Sequence, residues 1–222
     1  PEKQFKPKAW ESHSFKELVN DVSTHTKEVL IALKEKNIYP EWVQVGNEIP
    51  NGMLWPEGKI ENFDKLSKLL NSGYDAVKDV LPSSKVIIHL DQGDDRKRFI
   101  EFFDNHTANG GKYDVIGVSY YPYWVNKNYK ETIDNLMNNL NEYIDRYEKE
   151  VMVCEIGGED TEVEDTYNML KEVIERVREI PQGKGLGVFY WEPEGAFSWS
   201  KYKLSAWGND GKPSKALDAF ID

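Results

Sequence analysis

Two glutamates close apolar runs in this sequence. "WVQVGNEIPNGMLW" (residues 42–55) passes from Trp42 to Asn47 and Glu48, and "VMVCE" (151–155) ends on Glu155. Carboxylates are seldom buried without a partner, so a carboxylate at the end of such a run needs a reason. His89 and Asp91 end "KVIIHLD" (85–91), Tyr120, Tyr121 and Trp124 lie in "YYPYW" (120–124), Trp191 ends "GLGVFYW" (185–191), and Trp55 follows the first run. A sugar ring has apolar C–H faces that stack on Trp and Tyr, and hydroxyls that need amides and carboxylates. Cleaving a glycosidic bond takes one protonated carboxyl, which donates to the leaving oxygen, and one ionised carboxylate, which acts as nucleophile or as base for water. The set of residue types therefore suits glycoside hydrolysis.

Each residue also has a plainer reading. A lone Glu after a strand is more often a solvated loop residue, and rings near a sheet are more often core. His89 reads slightly better as a hydrogen-bonded core histidine, and Cys154, the single cysteine, as a small buried hydrophobe. Asp91, Asp94 and Asp95 in "DQGDD" offer metal-ligand chemistry, but such a stretch reads first as a solvated loop with a helix N-cap. Asn105-His106-Thr107 is a glycosylation sequon, relevant only in a secretory eukaryotic host. There is no Gly-rich phosphate loop, no H-E-x-x-H zinc motif and no sign of a Ser-His-Asp arrangement. The formal net charge of -11 disfavours nucleic acid as a partner. No apolar run reaches the roughly 18 to 20 residues of a membrane span. The opening "PEKQFKPKAW" is no signal peptide, and one cysteine forms no internal disulfide.

The elements that must place these residues follow from periodicity. Apolar residues recur at helical spacing from Phe15 to Leu33, Phe63 to Leu81, Ile133 to Tyr147 and Tyr167 to Val177. Thr161 to Glu164 has the capping-box pattern for the last of these, and shorter helices are predicted near Arg96 to Asn105 and from Pro213 to the end. Between them lie β-type runs at 42–47, 85–91, 113–121, 151–155 and 185–191. Alternating β and α elements predict a parallel α/β sheet covered by helices, and the continuous apolarity of the runs predicts burial on both faces. Active sites of such folds sit at the carboxyl ends of the strands, where Asn47, Glu48, His89, Asp91, Tyr120 to Trp124, Glu155 and Trp191 fall. Five βα units are about three short of the eight in a (β/α)8 barrel of typically ~250 residues. The chain is therefore either an open sheet or the C-terminal part of a longer barrel.

"WVQVGNEIPNGMLWPEG", "GVSYYPYW", "VMVCEIG", "GVFYWEPE" and "AWGNDGKPSKALDAF" resemble glycoside hydrolase family 53, the endo-β-1,4-galactanases, over essentially the whole chain. The resemblance implies a TIM barrel, with residues 1–222 as the C-terminal part of the catalytic domain, covering about strands four to eight. It implies Glu48 as acid/base and Glu155 as nucleophile of a retaining, endo-acting hydrolase of β-1,4-galactan, the side chains of pectin. Asn47 would hold the sugar 2-hydroxyl, Trp191 would lie under that sugar, and Tyr120 or Tyr121 would touch the nucleophile or a hydroxyl. Trp55 and Trp124 are expected as cleft rings, with His89 and Asp91 on the same substrate-binding rim. The family is secreted, so an extracellular or cell-surface location is implied.

Two departures from the family shape the expectations. The family has three further βα units before residue 1, so a second segment supplying the missing strands is an expected partner besides the polysaccharide. After Glu155 stands "IGGEDTEVEDTY" in place of a calcium-binding insertion, so no metal and no cofactor are expected, and Asp160 or Thr161 should cap the next helix. Strands four and seven are about 14 Å apart along a flat sheet at ~4.8 Å per step, whereas a retaining pair needs its carboxyls about 5 to 5.5 Å apart. The chain alone is therefore expected to lack activity. The alternatives are a non-catalytic carbohydrate-binding remnant, or a related retaining hydrolase of another β-linked plant polysaccharide.

Overall fold

Ser14 starts the first helix through a reciprocal cap: its hydroxyl accepts from the Glu17 N–H, and the Glu17 carboxylate accepts the Ser14 N–H at 2.7 Å. Helix α1 (Phe15–Glu35) follows in the computed structural model, which describes residues 3–221. Five strands alternate with the larger helices: β1 (Trp42–Gln44), α2 (Phe63–Val80), β2 (Lys85–Leu90), α3 (Arg96–Ala108), β3 (Val115–Tyr120), α4 (Ile133–Tyr147), β4 (Glu150–Ile156), α5 (Val163–Arg178) and β5 (Gly185–Tyr190). The strand order is β1-β2-β3-β4-β5, as expected for successive βα units. No helix among the described residues is long and apolar enough to cross a membrane.

The chain divides into two compact units, one running through Asp91 and adding Lys97–Ile116, the other made of Gln92–Arg96 and the residues from Gly117 onward. In the first, β1 and β2 pair in parallel, Trp42 opposite Lys85 and Gln44 opposite Ile87. Helix α2 buries Leu66, Leu69, Leu70 and Val77 on one face, which is the work of its apolar spacing. Gly73 permits close approach there: a Cβ would lie 2.6 Å from Val45. In the second unit, β4 and β5 pair in parallel with register shifts between Val151 and Val153 and between Val153 and Ile156. Helix α4 buries Leu136, Met137, Leu140 and Tyr143, and the Asn139 amide donates to Gly93 O at 3.0 Å.

Three local expectations are corrected. The first β run was expected to extend to Asn47, but its regular ladder stops at Gln44. Helix α5 starts after Glu162 with no side-chain cap, so neither the Thr161–Glu164 box nor capping by Asp160 or Thr161 forms; instead Thr166 Oγ1 donates to Glu159 O at 3.2 Å. The closing segment is a 3-10 helix, Lys215–Phe220, whose Ser214 hydroxyl accepts from the Ala216 N–H. A one-turn helix α6 (Phe197–Ser200), unread in the sequence, follows β5.

Candidate active site

In a parallel pair, two-residue steps on one strand face two-residue steps on its neighbour. Beyond β1 that correspondence fails. The Val45 N–H donates to Ile87 O at 3.0 Å and the Ile49 N–H to His89 O at 3.1 Å, so four steps of chain (45 to 49) span two of β2 (87 to 89). The surplus loops out at Gly46, Asn47 and Glu48. Gly46 takes φ 83°, which suits glycine, but Glu48 takes φ 45°, which does not suit a side chain. Such left-handed residues cost about 1–3 kcal/mol and cluster at working sites. Glu48 is half-buried and Asn47 exposed.

The surroundings of Asn47 are polar and defined. Its Oδ1 accepts from Gln44 Nε2 at 2.8 Å and lies 3.3 Å from His89 Nδ1. His89 is wholly buried, and burial lowers its pKa from 6.5 to about 4. It is therefore a neutral imidazole near pH 7, able to donate from Nδ1 to the Asn47 oxygen. Asp91 is buried and its carboxylate is taken by the Arg98 guanidinium on α3. Trp55 is half-buried: its indole N–H donates to Asn51 O at 3.0 Å, and Phe5 packs edge-on against it at 5.4 Å. The first unit thus gathers Asn47, Glu48 and His89, holds Trp55 in the loop that follows, and uses Asp91 in an ion pair.

In the second unit Glu155 belongs to β4 itself and is only 8% exposed. The Tyr121 hydroxyl donates to Glu155 Oε2 at 3.1 Å. Burial first, and then Tyr202 and the Glu155 carboxylate, push the Tyr121 phenol above its ordinary range, so it stays a donor. Gly157 leaves room for this contact, since a Cβ there would lie 3.1 Å from the Tyr121 ring. The sequence left Tyr120 and Tyr121 as alternatives, and Tyr121 is the one that meets the carboxylate. Tyr120 is wholly buried, with its hydroxyl 2.8 Å from Thr132 Oγ1, which makes it a core residue with no surface for a sugar.

The expected platforms of this unit are open. Trp124 is 60% exposed and Trp191 49% exposed, and the Trp191 N–H donates to Ile156 O at 3.0 Å. That bond carries the β4–β5 pairing one residue past the ladder and fixes where the indole starts. Cys154, beside Glu155, has its thiol pushed up to about 12 by burial and then by the Glu155 charge, and is inert as a nucleophile. The acidic residues after β4 have local duties: Asp165 Oδ2 accepts from Asn128 Nδ2 at 3.0 Å, and Glu164 pairs with Lys215 at 3.4 Å. Sequence reasoning passed over Gln4, Gln44 and Tyr202, each of which bonds or adjoins a candidate residue. Gln44 alone carried a signal, being three positions before Asn47 in the same run.

The model for "Glycosyl hydrolase family 53" matches residues 1–162 and 157–220. A protein from Niallia circulans named "Uncharacterized protein in bgaB 5'region" is 37% identical, over 94% of this chain and 65% of its own length. The "Arabinogalactan endo-beta-1,4-galactanase A" of Aspergillus niger is 32% identical, over 87% of this chain and 60% of its own. Among solved structures, the "Ignisphaera aggregans GH53 catalytic domain" superposes with a TM-score of 0.87 at 30% identity, over 98% of this chain and 68% of that one. The fold is accordingly part of a (β/α)8 barrel, and the chain spans less than two thirds of the length of these two curated relatives.

Proposed function

The chain belongs to glycosyl hydrolase family 53, and we propose that it carries both catalytic carboxylates of an endo-acting, retaining β-1,4-galactanase. The observation that carries this reading is Glu155, a buried strand carboxylate with a phenol donating to it, in a chain of this family. In the first step Glu155 attacks the anomeric carbon and Glu48 gives its proton to the glycosidic oxygen. The part of the chain bearing the glycosidic oxygen leaves, and the other part remains joined through its anomeric carbon as an ester on Glu155. In the second step the Glu48 carboxylate takes a proton from water, the water oxygen attacks the anomeric carbon, and Glu155 departs. Two inversions leave the β configuration unchanged.

Asn47 holds the 2-hydroxyl, its amide oriented by Gln44 and the neutral His89. Trp191 and Trp124 supply ring faces, and Tyr121 donates to Glu155 and holds its aim. Galactan is the substrate named for the Aspergillus relative, which supports a polysaccharide substrate, and pectin breakdown outside the cell is the setting proposed with it. Since the chain covers only part of its relatives' length, a second segment bringing further βα units is the proposed partner for full activity.

The test is galactan cleavage by the full-length protein, followed as new reducing ends, against other β-linked plant polysaccharides and against Glu155→Gln. Cleavage of galactan above the other polymers, lost in the variant, is the expected result. Sugar binding without turnover in the unsubstituted protein would instead support a binding remnant and overturn the catalytic reading.

A further inference from the structure

The bulge that carries Glu48 lies between the two ladder bonds of Val45 and Ile49, and it contains the backbone carbonyls of Asn47 and Glu48. A single side chain reaches both: Gln4 Nε2 lies 2.8 Å from Asn47 O and 3.4 Å from Glu48 O. The segment bearing Gln4 is itself fastened to the loop that follows. Gln4 O accepts the Trp55 N–H at 2.8 Å, Phe5 forms a parallel bridge with Trp55, and Lys6 Nζ pairs with Glu57 Oε1 at 2.9 Å. The Glu57 pKa is lowered: burial pushes it up, but the bond from Lys6, a bond to its own backbone and the charges of Lys6 and Lys65 together outweigh that, so Glu57 stays ionised and the staple holds near neutral pH. The sequence gives no hint of the contact, because Gln4 lies 43 positions from Asn47.

Left-handed Glu48 needs such a brace. Its backbone conformation is unfavourable by itself and persists only where surrounding bonds fix it. Without Gln4, both carbonyls lose the Gln4 amide and the bulge gains room to relax toward φ below zero, which would swing the carboxyl away from its working direction. A misplacement of about 1 Å can lower a rate by roughly 10²-fold. We propose that Gln4 is a positioning residue for Glu48, holding the Asn47–Glu48 backbone from outside the strand so that the acid/base points at the scissile oxygen. This inference rests on the acid/base role given to Glu48 above.

Gln4→Met tests it, since the side chain keeps its length and loses the amide. In the full-length protein, kcat on galactan should fall about 10–100-fold. KM should stay within about twofold, and the basic limb of the kcat/KM pH profile, which reports the essential acid, should move. Amide exchange at Ile49, the first residue back on the ladder, should quicken by about tenfold or more. A lower melting temperature with unchanged kcat per folded molecule, an unmoved pH limb and unchanged Ile49 exchange would overturn the proposal. Glu48→Gln is measured in parallel. If that variant keeps full turnover, the acid/base reading has failed; if it loses turnover while Gln4→Met does not, only the positioning role has failed. The Ile49 exchange decides the brace itself without any need for activity.

Discussion

Glu48 stands half-exposed on a bulge beyond the end of its ladder, with a left-handed backbone, whereas Glu155 lies buried within β4 itself, between Val153 and Ile156, where the pairing with β5 shifts register. The first is held through its main chain, by Gln4; the second through its carboxylate, by Tyr121. The difference matches what each group must do. An acid/base exchanges its proton with an oxygen and with water, so its carboxyl needs access to solvent, and a fixed backbone helps to aim it. A nucleophile must stay ionised and stationary, and a donor bonded to its charged form achieves both. Two glutamates that read alike in the sequence are thus separated by their supports.

The contrast is broken most severely at the carboxylates. Glu155→Gln should lower galactan turnover by roughly 10⁴-fold or more, because no covalent intermediate can form. Glu48→Gln should cost roughly 10²–10⁴-fold on galactan and much less on an aryl galactoside whose leaving group needs no proton. Equal losses on both substrates would contradict the division of roles. Tyr121→Phe removes a hydrogen bond to a charged group, worth about 1.5–3 kcal/mol, so kcat should drop on the order of 10-fold or more. A kcat within twofold of the unsubstituted protein would show that Tyr121 does not support the carboxylate.

A pH effect separates stability from chemistry. His106 is wholly buried against Ser67, and burial, partly opposed by a bond to the Lys112 backbone, lowers its pKa from 6.5 to about 4. A pKa depressed in the folded state favours the neutral ring, so the contribution is complete above pH 6.5 and is lost as the pH falls from 6.5 toward about 4. That loss is on the order of 3 kcal/mol at most. The melting temperature should fall across this window, and His106→Gln should flatten the slope; an equal slope in both proteins would refute the assignment. The smallest effect belongs to Tyr120→Phe. It removes a core hydroxyl bonded to Thr132, should cost about 1 kcal/mol of stability, and should leave kcat per folded molecule nearly unchanged. A tenfold fall in kcat would return Tyr120 to the site.

Much of this architecture is legible in the residues. The apolar spacing of Phe63 to Leu81 and Ile133 to Tyr147 gives α2 and α4 almost to the residue, and the continuous runs give β2 to β5. Asn47, Glu48 and Glu155 stand out because polar groups interrupt runs that burial should keep apolar. What escapes is whatever depends on distant partners. The end of β1 at Gln44 follows from where Ile49 rejoins β2, a pairing that no local pattern encodes. Tyr120 and Tyr121 are chemically identical neighbours, and only the end of β3 separates them: Tyr120 is the last strand residue and lies in the core, while Tyr121 stands just beyond the strand and meets Glu155. The Thr161–Glu164 box fails although its residues are right, because the backbone turns helical only after Glu162.

The account rests on Glu155 forming the covalent bond while Glu48 handles the proton. A slow-turnover 2-deoxy-2-fluoro-β-galactoside with an activated leaving group tests this directly in the full-length protein. Mass spectrometry of the digested, inactivated enzyme should show one fluorosugar per protein, as an ester on the peptide containing Glu155. Label on the peptide containing Glu48, or rapid release of the α-anomer with no covalent adduct, would contradict the assignment.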